Sequence, residues 1–263
     1  MAQLPAGHVP LIQRWLGWLR RPPPSIDDAH WSQARAQCPW IDALEPTREQ
    51  RLRELSARFL HEKTIAPIGE LTLDPAQRVL LAAMCCLPLL EIGAAGWRGW
   101  SQLIVYPDAF RVHRSHVDAA GVLHEWEDEL IGEAWEQGPL ILSWADVQAD
   151  LHDPYAGYHV AVHEMAHKLD ALDGVLDGTP LLPRDWQRDW ARDFQHHYDA
   201  FCQQVDTGRR TRVDAYAAEA PEEFFAVVSE YHFSAPGVLA ATMPAVAAHL
   251  RRYYGPSPFE GRG

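Results

Sequence analysis

Between Thr47 and Glu62 the apolar residues Leu52, Leu55, Phe59 and Leu60 return at helical spacing among charged positions, which predicts an amphipathic helix. The run from Pro75 to Glu91 is apolar on most sides, as a more deeply buried helix would be. Two short stretches differ in kind. Gln102 to Tyr106 and Leu140 to Ser143 are β-prone and are bounded by Pro107 and by Gly138-Pro139, so they predict two strands joined by an acidic, Trp-containing connection. The rest of the chain alternates helical patterns with loops, over 157–172, 184–204, 221–233 and 244–254. No repeat interrupts this order, and the expected architecture is α+β and mainly helical, with a small sheet beside the central helices.

Residues 1–25 stand apart. Trp15, Trp18 and Leu19 form an amphipathic stretch followed by Arg20, Arg21 and three prolines, a stiff boundary before a single domain over 26–263. A helix docked on the domain's own surface is favoured for this tail over an anchor to a partner or membrane surface. Composition narrows the function classes. With 23 basic against 36 acidic residues the formal charge is −13, so a phosphate backbone is repelled and direct nucleic-acid binding is not expected. Cys38, Cys85, Cys86 and Cys202 have neither C-x-x-C spacing nor the density of a secreted disulfide scaffold, and buried thiols in a reducing cytoplasm are expected. No basic segment followed by a clean apolar stretch opens the chain, and Val79 to Leu90 contains Pro88 and falls short of the ~20 residues of a membrane span. The expectation is a cytoplasmic, soluble protein.

The chemistry resides in His163-Glu164-Met165-Ala166-His167, an H-E-x-x-H motif. Imidazoles four residues apart on a helix converge on one zinc, and the glutamate can polarise the attacking water. At this His and Glu content the motif is expected by chance roughly 0.05 times in such a chain, so coincidence is a weak account. On a helical wheel Tyr158, Val162, Met165, Leu169 and Leu172 form an apolar arc with His163 and His167 opposite, which predicts histidines turned away from the core. His159 lies about 12 Å along the axis from His167, too far to share the ion, and is expected to line the cleft or support the ligands from behind.

The third ligand separates the known classes of such sites. A metzincin would have Gly at Asp170 and His at Asp173, so that class is rejected, and Asp173 itself is a minor candidate. Pro221-Glu222-Glu223-Phe224-Phe225 opens a later helix whose buried arc is Phe224, Val227, Val228 and Tyr231. Glu223 borders that arc and is the better ligand, while Glu222 points nearly opposite. Glu230 shares the Glu223 face two turns on and ranks behind it as a ligand, a role that competes with those of surface carboxylate and of acceptor for a ligand. Lys168 and Asp170 read either as support for the ligands from behind, for Asp170 a carboxylate holding an imidazole, or as a surface ion pair; the two readings weigh equally for Asp170 and the ion pair is favoured for Lys168. Arg209, Arg210 and Arg212 form a basic cluster, better read as a solvated loop than as an attractor for a substrate carboxylate.

HEMAHKLD at His163 to Asp170, DAYA at Asp214 to Ala217 and PEEFFAVVSEYHFSAP at Pro221 to Pro236 closely resemble the MtfA family of zinc peptidases. The resemblance extends through Ile104 to Pro107 and Gly138 to Trp144, and more weakly through Cys86 to Glu91, covering most of the chain after about residue 45. It implies a zincin-like metallopeptidase domain with a small β-sheet beside the active-site helix. The implied site is of gluzincin type, related to the catalytic domain of anthrax lethal factor, with Zn2+ held by His163, His167 and Glu223. It further implies Glu164 as catalytic base, Tyr216 as the phenol that stabilises the tetrahedral intermediate, and aminopeptidase-like action on a peptide or protein substrate. The family is also associated with binding the glucose-responsive repressor Mlc, and thereby with expression of the sugar phosphotransferase system. A non-catalytic module that sequesters a transcriptional regulator is the competing expectation.

Overall fold

The computed structural model describes residues 24–108 and 138–261. The amphipathic stretch of the tail and most of the acidic connection between the predicted strands lie outside the described residues.

Helix α1 (Asp28–Gln37) starts where the Asp27 carboxylate accepts from the Ala29 amide at 2.8 Å. A short α2 (Pro39–Asp42) leads to α3 (Pro46–Glu62), which buries Leu52 and Phe59 as its periodicity predicts. Strand β1 (Thr64–Pro67) follows, and then α4 (Pro75–Cys86), opened by a reciprocal capping box between Asp74 and Gln77. The predicted helix to Glu91 is shorter than expected: Pro88 has no amide to donate, and the chain tightens into a 3-10 turn over Leu87–Leu89.

Strands β2 (Gln102–Tyr106) and β3 (Leu140–Ser143) form where the β-prone runs place them, joined by the unforeseen β1 in a parallel sheet of order β1-β2-β3. Ile65 pairs with Leu103, and Leu103 with Leu140, so these apolar residues share one buried row. β3 passes directly into α5 (Trp144–His152), because the Ser143 hydroxyl caps it by accepting from the Asp146 amide at 3.0 Å. The motif helix α6 (Val160–Asp170) comes next, then α7 (Arg184–Asp206), α8 (Pro221–Ser234), α9 (Pro236–Thr242) and α10 (Pro244–Tyr254).

Helix α6 is central, packed against β3, α4, α5 and α8. One contiguous set of buried apolar side chains runs from Ile26 to Phe259. Among the described residues no helix is long and apolar enough to cross a membrane. All four cysteines are free thiols, but Cys202 is only half-buried, so the expectation of four buried thiols holds for three.

His232 on α8 is 4% exposed, and burial lowers its pKa to about 3 from 6.5. A hydrogen bond with the Gly255 backbone opposes that shift, while Arg48 and Arg251 reinforce it. The unfolded chain therefore takes up this proton near pH 6.5 and the folded chain only near pH 3. Stability from this group is full above pH 6.5 and is lost as the pH falls toward 3. At pH 5 the loss is about 2 kcal/mol. Urea unfolding of metal-free protein at pH 7 and pH 5 is expected to show a smaller acid loss in His232→Gln by that amount. An equal acid loss in both proteins would remove His232 from the account.

Candidate metal centre

The motif helix begins later than its periodicity suggests. Gly157 has φ +92°, and a Cβ there would lie 2.6 Å from Cζ of Tyr231, so the chain turns in a conformation only glycine adopts easily. Tyr158 is consequently outside the helix and 37% exposed, not on the predicted apolar arc, and its hydroxyl donates to Asp214 Oδ2 at 2.8 Å. His159 is the N-cap, its Nδ1 accepting from the Val162 amide at 3.2 Å and its ring packed 4.3 Å from that of Trp40. It is fully buried, which overturns the expectation that it lines a cleft.

The expectation that both histidines face away from the core also fails. His163 is 1% exposed, because α8 covers the side of α6 that the wheel left open. Glu223, in the first turn of α8, meets the pair: Oε2 lies 3.1 Å from His163 Nε2 and Oε1 lies 3.5 Å from His167 Nε2. The two Nε2 atoms are 3.2 Å apart. One donor atom from each of the three residues falls within 4.8 Å of the others. Burial pushes the Glu223 carboxyl upward, but hydrogen bonds and charge from His163 and His167 outweigh it and hold the group well below the usual carboxylate range.

Glu230 supplies the orientation. Its Oε1 lies 2.7 Å from His163 Nδ1 and its Oε2 accepts from the His159 amide at 2.6 Å, so one buried carboxylate fixes both a ring and the start of α6. It is buried against His163 and is not a surface carboxylate, and it stands outside the group of converging donors. An ionised carboxylate accepts only, so Glu230 favours a proton on His163 Nδ1; Nε2 then either donates a second proton to Glu223 or, in the neutral ring, turns a lone pair toward His167 and Glu223. Donor atoms converging at 3.1 to 3.5 Å are held together by ring protons or by a cation among them. Two imidazoles and a carboxylate suit a divalent metal ion, and the residues present fit one.

Glu164 is half-buried, and its charge reaches Lys168 and Cys85. Lys168 is not the surface residue expected: it is 8% exposed and donates to the Gly138 carbonyl at 3.0 Å, just before β3. Tyr216 sits on a 3-10 turn, Ala215–Ala218, capped by Asp214 Oδ1 at 3.0 Å from the Tyr216 amide. Its ring centroid is 6.3 Å from that of His163. Asp173 is exposed and accepts from the Val175 amide at 3.2 Å, outside the cluster. Arg209, Arg210 and Arg212 are exposed, as a solvated loop requires.

Asp170 is not half of a surface ion pair, and its carboxylate holds backbone amides and not an imidazole. It is fully buried and both its oxygens accept backbone amides, Oδ2 from Gly178 and Oδ1 from Thr179, each at 2.8 Å. Burial raises it to about 6 against these bonds. Asp150 was missed altogether. It is buried and its Oδ2 accepts from the Val160 amide at 2.7 Å, a contact for which the sequence carries no motif.

A mainly helical α+β fold with H-E-x-x-H on one helix and a glutamate on the next long helix but one is that of a zincin-like metallopeptidase domain. The chain belongs to the glucose-regulated metallo-peptidase M90 family, whose sequence profile matches residues 13–255. It is 36% identical over 235 residues to Mlc titration factor A of Klebsiella pneumoniae (strain 342), covering 88% of this chain and 87% of that one. It is 35% identical over 246 residues to the protein of the same name from Edwardsiella ictaluri (strain 93-146), covering 92% and 93%. A third relative of that name, from Yersinia pestis (strain Pestoides F), is 35% identical over 248 residues, covering 93% and 90%.

Proposed function

We propose that the protein is a zinc-dependent peptidase with His163, His167 and Glu223 as ligands, Glu164 as general base and Tyr216 as an oxyanion donor. The observation that carries this reading is the convergence of the three donor groups beside Glu164. Zinc, when bound, supplies a Lewis acid that acidifies water and polarises the substrate carbonyl. Glu164 takes the proton of the attacking water and delivers it to the leaving amine. The Tyr216 phenol donates to the oxygen on which negative charge develops. Glu230 keeps the Nδ1 proton of His163 in place so that Nε2 stays a donor to the metal. Among the described residues β3 ends the sheet, and its outer edge is where an extended peptide adds as a further strand.

Aminopeptidase-like action, on peptides with free N-termini, is the finer reading that the family resemblance implies, and a cytoplasmic location accords with the free thiols. The names of the relatives favour a second reading, a module that binds an Mlc-type repressor. Both are tested by offering zinc-loaded protein a panel of peptides with free and blocked N-termini, with and without chelator, beside Tyr216→Phe and Ile141→Pro. We expect cleavage of free-ended peptides, lost with chelator and restored by zinc, and a turnover about 10²-fold lower in Tyr216→Phe. Unchanged turnover there would remove the phenol from the mechanism, and an unchanged KM in folded Ile141→Pro would remove strand addition. No cleavage by zinc-loaded protein, together with retention of an Mlc-type repressor on an affinity column, would put the binding module first.

A further inference from the structure

We propose that Asp170 is a positioning residue that ties the helix carrying His163 and His167 to the helix carrying Glu223, acting through Gly178. The inference rests on the reading of those three residues as metal ligands. Asp170 closes α6 three residues after His167, and its carboxylate is fully buried. A buried carboxylate is costly unless its oxygens are satisfied, and here two consecutive backbone amides, Gly178 and Thr179, satisfy one oxygen each at 2.8 Å. The loop is thereby fixed to the C-terminal end of α6.

The loop in turn abuts α8. Gly178 has φ +79°, and a Cβ on it would lie 2.4 Å from the Pro221 carbonyl oxygen and 2.8 Å from the Pro221 carbonyl carbon. This is backbone against backbone, and no flexible side chain is available to yield. Pro221 is the first residue of α8 and Glu223 is two residues further on. The contacts therefore run from the Asp170 carboxylate through the 178–179 amides and the bare Cα of Gly178 to the start of α8. Glu223 meets the histidines at 3.1 and 3.5 Å, so a shift of that start by about 1 Å takes its carboxylate out of register. The hydrogen bonds of Asp170 go to the 178–179 amides and the close approach of Gly178 is to Pro221, so both act on where the third ligand stands.

The experiment measures the zinc dissociation constant by competition with a chromophoric chelator for wild type, Asp170→Asn, Gly178→Ala and Asp173→Asn, with urea unfolding of each metal-free protein beside it. In Asp170→Asn an amide NH2 faces a backbone N–H, and in Gly178→Ala the methyl group meets Pro221, so the two variants disturb one path from opposite ends. Zinc affinity is expected to fall roughly 10- to 100-fold in both and to stay at the wild-type value in Asp173→Asn, whose carboxylate is exposed on the same turn. Wild-type zinc affinity in folded Asp170→Asn and Gly178→Ala, whatever their metal-free stability, overturns the proposal. If Asp170→Asn does not fold, Gly178→Ala decides it. Wild type that fails to bind zinc overturns the ligand reading itself, and this inference with it.

Discussion

Glu164→Gln is expected to lower peptide hydrolysis by roughly 10²- to 10⁴-fold while the protein keeps its zinc. The substitution preserves shape and removes the proton acceptor. Glu164 lies outside the group of converging donors, so the three proposed ligand groups are left in place. Its neighbour Lys168 keeps its bond to the Gly138 carbonyl, so the approach to β3 is also undisturbed. Hydrolysis rates and metal content measured on the same samples check this. Loss of zinc along with rate would make Glu164 a ligand and not a base, and an unchanged rate would leave the reaction without the base assigned to it.

The second large effect is expected from Glu223→Ala. Removing this carboxylate leaves two imidazoles whose Nε2 atoms are 3.2 Å apart and no third donor within the cluster. Zinc affinity should fall by more than the roughly 10- to 100-fold typical of a partner that only orients a ligand. Hydrolysis at limiting zinc should fall with it. Chelator competition checks the first expectation, and raising zinc until activity returns checks the second. Glu222→Ala, one residue earlier, is the comparison: equal losses in both would mean that the charge of the helix start matters and not coordination by Glu223.

The two β-prone runs and the long amphipathic helices were legible because each carries its period in contiguous residues. Trp186, Trp190 and Phe194 recur every fourth position along α7 and all are buried. Helix α1 escaped because its segment buries only Trp31 and Ala34, and the rest is polar apart from the small residues Ala29 and Ala36. β1 has four residues and ends in proline, below the length at which alternation can be read. The motif and its third partner were readable as residues, but their setting was not. A helical wheel assigns an outward face on the assumption that one side of a helix meets solvent, and α8 covers that side of α6. The carboxylates that organise the centre act over long sequence separations, Glu230 on His163 and on the His159 amide, with no local pattern to announce them. Asp170 is instructive because its sequence neighbours suggested a partner among charged side chains, whereas its real partners are two backbone amides.

The uneven exposure of the three donors has a kinetic consequence. His163 is sealed, while the side chains of His167 and Glu223 are 22% and 19% exposed, so the centre opens along one side of the described structure. If the centre holds zinc and acts on peptides as proposed, an ion leaving it and a peptide reaching it share that doorway. Occupancy of the doorway by a peptide then slows metal exchange without strengthening any bond to the metal, and a tight competitive inhibitor acts as a stopper that shields the centre from chelators.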